Sequence, residues 1–158
     1  MPTSFPSSIP TIVKLMQQVD PKRVLDIGIG MGKYGVLARE YCPKLELLDG
    51  IEAYEPYLSY QWGIYDHIEL GDARNSTAKP YDLVLLIDII EHLSHEDAKA
   101  MLTRYSDATI IVSTPIEDYR AHYDNHYENH IAHYPITWFD NAQDHSTTEA
   151  TIVLIPPV

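Results

Sequence analysis

The stretch VLDIGIGMGKYG, residues 24–35, decides how the chain is read. Val24 to Ile27 is a short apolar strand run. Gly28, Gly30 and Gly32 alternate behind it, and a helical pattern runs from Lys33 to Tyr41, stopping before Pro43. Glycine admits positive φ and lets a ligand approach the main chain. A helix that starts just beyond points free N–H groups at that ligand and favours a negative group such as a carboxylate. In an open α/β sheet, ligands sit at the carboxyl ends of the strands. Gly30 to Gly35 also fits the dinucleotide pattern G-x-G-x-x-G. A glycine turn can equally serve a tight bend alone, so its neighbours must decide.

Outward from the turn, strand and helix patterns alternate. A strand runs from Leu47 to Glu52, placing a carboxylate at its end, where ribose hydroxyls can be held. A helix is expected near Tyr57 to Tyr65, then a strand from His67 to Leu70. Ala73 to Pro80 is too short for a full crossover helix. YDLVLLID, Tyr81 to Asp88, is nearly all apolar, as a strand covered on both faces of a parallel sheet reads. Ser94 and Asp97 form a capping pair for a helix reaching about Tyr105, and Ala108 to Ser113 is another buried strand. Upstream, Ser7 and Ser8 are expected to cap a first helix, with Ile9, Ile12, Val13 and Met16 on one face and Asp20-Pro21 ending it. Thr137 to Ala142 predicts a short helix and Thr148 to Ile155 a last strand. Repeated β-then-α order implies parallel pairing with right-handed crossovers. The expected fold class is therefore α/β: a three-layer sandwich around a mostly parallel central sheet, abbreviated at its carboxyl-terminal edge.

The bulk numbers narrow the setting. A chain of 158 residues fits one domain: an amino-terminal helix over 1–20, a core over 21–115, and a loop with the last strand over 116–158. A net charge of −12 opposes broad attachment to nucleic acid or an anionic membrane. Lys14, Lys22, Arg23, Lys33 and Arg39 cluster early in the chain and read as a solvated helical surface. The single cysteine, Cys42, rules out an intrachain disulfide, fits a reducing cytoplasm, and reads as packing at a helix end. No apolar run approaches the roughly 20 residues that cross a bilayer. The beginning, MPTSFPSSIPTIVKLMQQ, lacks a basic leader and does not read as a secretory signal.

Several motifs together carry a family resemblance. Asp26-Ile27-Gly28-Ile29-Gly30-Met31-Gly32 matches the D-x-G-x-G-x-G signature of class I methyltransferases that use S-adenosylmethionine (SAM). Glu52 stands where that family places its ribose acid, and Gly71-Asp72-Ala73 resembles its adenine turn. Tyr81 to Asp88 resembles its fourth strand, Ile90-Glu91-His92-Leu93 its E-H-L segment, and Ser113-Thr114-Pro115 the end of its fifth strand. The resemblance implies a Rossmann-like SAM-methyltransferase fold and the activity of a one-carbon transferase. It implies that Asp26, Gly28, Ile29, Gly30, Gly32 and Tyr34 surround the methionyl end of SAM. Glu52 and Ala53 would then take the ribose, Asp72 and Ala73 the adenine, and Asp88 would close the other side. Tyr54 lies where it can stack near the cofactor or simply pack.

The sulfonium of SAM already activates the methyl group, so the protein must mainly align an acceptor with the S–CH3 bond. A hydroxyl or protonated amine acceptor also needs a base. His92 is the natural one, with Glu91 beside it. Asp88-x-x-Glu91-His92 also resembles the E-x-x-E-H arrangement of small-RNA 2′-O-methyltransferases and some quinone O-methyltransferases, with Asp in place of the first Glu. That resemblance implies a divalent cation held by Asp88, Glu91, His92 and a later histidine, for which His122, His126, His130 and His133 are available. His122, His126 and His130 would share one face if helical, and a zinc site there is a further alternative. Asn125-His126-Tyr127-Glu128-Asn129-His130, followed by Trp138, resembles an N-x-Y-E-x-H stretch that faces the acceptor in many relatives, making Glu128 and His130 candidates to line the pocket. The expected acceptor is a small molecule, a sugar or a protein side chain, with nucleic acid disfavoured by charge. The trimmed sheet edge invites a partner subunit, hence an expected homodimer.

Two rivals remain at this point. An NAD-dependent oxidoreductase shares the glycine turn and the acid after the second strand, but does not predict Asp26, the Gly-Asp-Ala turn or the Glu-His-Leu segment. A non-catalytic SAM-binding domain keeps every cofactor position and loses only the chemistry.

Overall fold

The computed structural model describes residues 4–77, 79–118 and 123–158. Its centre is a seven-stranded sheet in the order β3-β2-β1-β4-β5-β7-β6. The strands are β1 (Arg23–Ile27), β2 (Leu47–Glu52), β3 (His67–Leu70), β4 (Leu83–Ile87), β5 (Thr109–Pro115), β6 (Gln143–Asp144) and β7 (Ala150–Ile155). The first five pair parallel; β7 runs antiparallel to β5 and to β6. The fold is the three-layer, mostly parallel arrangement expected, and the abbreviated edge is real: β6 has two residues.

Strand alternation divides the core into two layers. Val24, Leu48, Leu83, Leu85, Ile111 and Ile152 face α1 (Ile9–Val19) and α2 (Lys33–Tyr41). Leu25, Ile51, Val84, Leu86, Ile110 and Val153 face α3 (His95–Arg104). All five residues of β4 are buried, which explains its unbroken apolar sequence. On α1 the inward stripe is Ile12, Leu15 and Met16. On the other layer α3 is the only α-helix among the described residues. Tyr134, Trp138 and Phe139 cover the rest, with Tyr134 fully buried.

Four expectations need correction. Residues 57–65 form no α-helix but two 3₁₀ turns, Glu55–Tyr57 and Tyr60–Ile64. Pro56 and Gly63 oppose a regular helix, and buried Trp62 is drawn onto the glycine turn instead. The short helix expected at 137–142 is likewise a single turn, Ile136–Trp138. Ser8 makes no side-chain cap on α1; its hydroxyl is buried, and Pro10, which has no N–H to satisfy, occupies the first turn. The stretch 123–134 is not helical, so His126 and His130 share no helix face; His122 lies outside the described residues.

Other readings hold in detail. Ser94 Oγ accepts from Asp97 N–H at 3.1 Å and caps α3. Ala73–Asn75 is a single turn where a crossover helix would otherwise stand. Cys42 is buried at the end of α2. No helix among the described residues is long and apolar enough to cross a membrane.

Candidate functional site

The carboxyl ends of β1, β2 and β4 converge on the glycine turn. Gly28, Gly30 and Gly32 have φ of 75°, 52° and 88°, all in the left-handed region where a side chain is strained. A Cβ on Gly28 would stand 1.8 Å from Ile89 Cδ1. The turn is fastened from β2, because Gly28 N–H donates to Ile51 O at 2.8 Å. Glu52, only 6% exposed, then reaches across: its two carboxylate oxygens accept from Gly30 N–H and Tyr54 N–H, each at 2.8 Å. Burial raises its pKa against these hydrogen bonds.

Three residues that the sequence reading left out complete this half. Trp62 Nε1 donates to Gly30 O at 2.7 Å, and Ser59 Oγ to Met31 O at 2.8 Å. Tyr65 OH donates to Asp26 Oδ2 at 2.6 Å. Their only trace in the sequence is the aromatic density of residues 54–65, which states no direction. Asp26 is fully buried and its pKa is pushed up to about 6 by desolvation, with Glu52 adding to the rise. Tyr34 is buried beneath the turn with its hydroxyl near Ser4 and Asp88. Ile29 is buried, and Ala53 is half-buried behind Glu52.

The turn after β3 is also held in place. Asp72 caps it, accepting from Arg74 N–H at 2.9 Å, and the Arg74 guanidinium lies across the same carboxylate at 2.5–3.0 Å. These contacts hold the Asp72 pKa below its usual range. Arg104 of α3 donates to Ala73 O at 2.9 Å and Arg74 O at 2.8 Å.

Past β4 the chain turns at Asp88, whose φ of 53° is unusual for a side-chain-bearing residue. Asp88 Oδ1 accepts from Ser113 Oγ at 3.4 Å, while Oδ2 is buried without a well-formed hydrogen bond. Desolvation pushes its pKa up to about 6. Glu91 is completely enclosed; burial, then the Asp88 charge, raises its pKa far above the carboxylate range.

Here the polar loop arrives. Ile131 and Ala132 N–H both donate to Glu91 O, at 2.9 and 3.2 Å, which hangs the loop on the residue preceding His92. His92 and His130 meet edge to face with ring centroids 4.9 Å apart. His92 Nδ1 lies 3.1 Å from Asn129 O. A carbonyl can only accept, so Nδ1 carries the proton and Nε2 keeps its lone pair. Desolvation lowers both imidazole pKa values, that of His130 to about 4, with the neighbouring ring contributing. One donor atom from each of Glu91, His92 and His130 lies within 4.8 Å of the others. Of the described histidines singled out, only His130 joins His92. His126 stacks on Tyr127 at 4.0 Å, and His133 pairs with Ile116 O at 3.1 Å. Glu128 bridges the two halves: Tyr57 OH donates to its Oε1 at 2.6 Å, and Tyr57 packs edge-on against Tyr54.

A surface hollow bordered by Val19, Lys44, Tyr81 and Asp107 opens at the amino ends of the strands. The glycine turn and the Glu91 cluster lie at the opposite end, where topology places ligands.

This is the fold of class I SAM-dependent methyltransferases. An O-methyltransferase family protein from Burkholderia thailandensis superposes with a TM-score of 0.67 at 15% identity, covering 96% of this chain and 56% of its own. The methyltransferase domain of the bacterial protein CtHen1 superposes at 0.65 with 19% identity over 95% of this chain and 97% of that domain. Magnesium protoporphyrin IX methyltransferase from Synechocystis, solved with bound SAM, gives 0.65 at 15% identity over 94% and 77%. The chain spans 56% of the length of the first two O-methyltransferases it resembles. No protein-family model matches its sequence, and no curated protein matches it either.

Proposed function

We propose that the chain moves a methyl group from SAM to a hydroxyl or amine acceptor, with the cofactor lying over the carboxyl ends of β1, β2 and β4. The observation that carries this is the Glu52 carboxylate, which ties Gly30 N–H and Tyr54 N–H together at the mouth of the glycine turn. A carboxylate has about four acceptor positions, so the contacts from Gly30, Tyr54 and Ala53 leave room for a ribose hydroxyl. The buried, unsatisfied Asp88 Oδ2 and the neighbouring Asp26 suit the ammonium of an aminoacyl tail. The residues present thus fit SAM: Asp26, Gly28, Ile29, Gly30, Gly32, Tyr34 and Asp88 about its methionyl end, Glu52 and Ala53 at the sugar, Asp72 and Ala73 at the base.

SAM supplies a methyl carbon activated by a sulfonium. The chain's own residues orient the acceptor and receive its proton. His92 Nε2, left basic by the Asn129 contact, is the atom to take that proton. Glu91 and His130 set its surroundings. A second reading is favoured by the three converging donors. Glu91, His92 and His130 can hold a divalent cation, whose chemistry would be to acidify an acceptor hydroxyl. In that reading His92 Nε2 is a ligand, and the acceptor oxygen is the methylated atom.

Calorimetry with S-adenosylhomocysteine, the demethylated cofactor, tests the assignment. Binding is expected in wild type and about 30-fold weaker in Glu52→Ala, the loss of roughly 2 kcal/mol of charge-assisted hydrogen bonding. Tighter binding of NADH than of the nucleoside, or no nucleoside binding at millimolar levels, would overturn it.

A further inference from the structure

The single turn Ala73–Asn75 stands where a crossover helix would otherwise cover the end of β3, and α3 fastens it instead. Arg104 holds the carbonyls of Ala73 and Arg74 at 2.9 and 2.8 Å. Ser76 Oγ donates to Ala73 O at 2.8 Å and meets Tyr105 OH at 3.0 Å. The main chain that carries Arg74 is thus fixed beside Asp72.

That arginine takes up the whole Asp72 carboxylate. Oδ1 accepts from Arg74 N–H at 2.9 Å and from its Nε at 3.0 Å; Oδ2 accepts from Nε at 3.0 Å and from Nη2 at 2.5 Å. Two contacts on each oxygen use the roughly four acceptor positions of a carboxylate. The remaining nitrogen, Nη1, faces Asp97 of α3 at 3.5 Å, and Ser94 Oγ donates to the same Asp97 oxygen at 3.0 Å. The Arg74 side chain is 48% exposed and that of Asp72 only 20%, so a ligand reaching the turn meets the guanidinium before the acid. A free carboxylate accepts from the amino group at the 6-position of a purine and repels a carbonyl oxygen there. A carboxylate saturated by a guanidinium does neither.

We propose that Arg74 sets the base specificity of the cofactor site: by occupying the Asp72 carboxylate it silences the acid that would select a 6-amino purine, so the site holds adenine and its 6-oxo counterpart, hypoxanthine, alike. This rests on the methyl-transfer reading, which puts Asp72 and Ala73 at the base. Arg74 acts through Asp72 and is a positioning residue. Without its guanidinium, Asp72 keeps only the Arg74 main-chain N–H on Oδ1, and Oδ2 is free to read the base.

Calorimetric titration of the full-length chain with S-adenosylhomocysteine and with its deaminated analogue, S-inosylhomocysteine, tests this. Both ligands are measured on each variant, so a general loosening of the turn cancels in the ratio of their dissociation constants. In wild type the two should agree within about 3-fold. In Arg74→Ala the ratio should move about 10-fold or more toward the adenine form, the effect of one hydrogen bond to a charged group. Arg74→Lys, whose ammonium is a point charge without the planar fork, should fall between. Adding Asp72→Asn to Arg74→Ala should return the ratio toward wild type, because an amide can accept from an amino group or donate to a carbonyl. If Arg74→Ala does not fold, the ratio in Arg74→Lys decides. A wild-type preference for the adenine form of 10-fold or more, or a ratio that no Arg74 variant moves, overturns the role of Arg74 and leaves the cofactor assignment standing. Failure of wild type to bind either nucleoside at millimolar levels removes the methyl-transfer reading, and this inference with it.

Discussion

The two halves of the site are built on different physical terms. Around the glycine turn, main-chain conformation does most of the shaping: three left-handed glycines, backbone N–H groups collected by Glu52, and a carbonyl held by Trp62. Around Glu91, side chains do it. Residues from a post-strand turn and from a loop some forty positions later are brought together by packing, on a platform of Tyr134, Trp138 and Phe139. The first half takes its shape from its glycines and tolerates little change of residue type there. The second depends on distant packing and should fail when its platform fails.

The platform is the place to break the contrast. Tyr134 is wholly buried, donates to Leu93 O at 2.8 Å, and packs edge-on against His95 and Trp138. Tyr134→Ala should cost about 3–5 kcal/mol in urea denaturation. At temperatures where it remains folded, it should lose Mn²⁺ binding before nucleoside binding. Loss of both together would mean that the halves are one unit.

Asp26 offers an intermediate effect and a sign. Its folded pKa, about 6, lies above the ordinary aspartate value of 3.8, so the native state holds the proton more tightly. Its contribution to stability therefore falls as pH rises from about 4 to about 6 and stays low beyond. Asp26→Asn should gain on wild type through that window, by at most about 3 kcal/mol. A difference between the two proteins that does not change between pH 4 and 7 would show that burial is not what perturbs this carboxyl.

The smallest effect sharpens the local half. Gly28→Ala should cost about 1–2 kcal/mol for its left-handed φ and force Ile89 to rotate, whereas Gly63→Ala meets nothing within 4 Å. If both melt alike, the turn is less constrained than its angles indicate.

The same contrast governs what the amino-acid order disclosed. Lys33–Tyr41, Leu47–Glu52 and His67–Leu70 fall where periodicity, Pro43 and the glycine spacing put them, because those signals act within a few residues. The strand Thr109–Pro115 runs two residues beyond its apolar core, since pairing with β7 carries Thr114 and Pro115 along. Trp62, Tyr65 and Tyr57 went unread: their partners Gly30, Asp26 and Glu128 lie 32, 39 and 71 residues away, and no local pattern encodes such a meeting. His92 and His130 were each visible as candidates, but their encounter depends on the two N–H groups that hang the loop on Glu91.

The chain's two tryptophans fall one to each half, Trp62 with its indole N–H on Gly30 O and Trp138 lodged against Tyr134. Indole emission responds to its immediate polarity, so the molecule carries a separate optical gauge in each half of the site. With Trp138→Phe, the remaining light comes from beside the glycine turn. With Trp62→Phe, it comes from beside Tyr134, and a ligand that settles in one half can be told from a ligand in the other by colour alone.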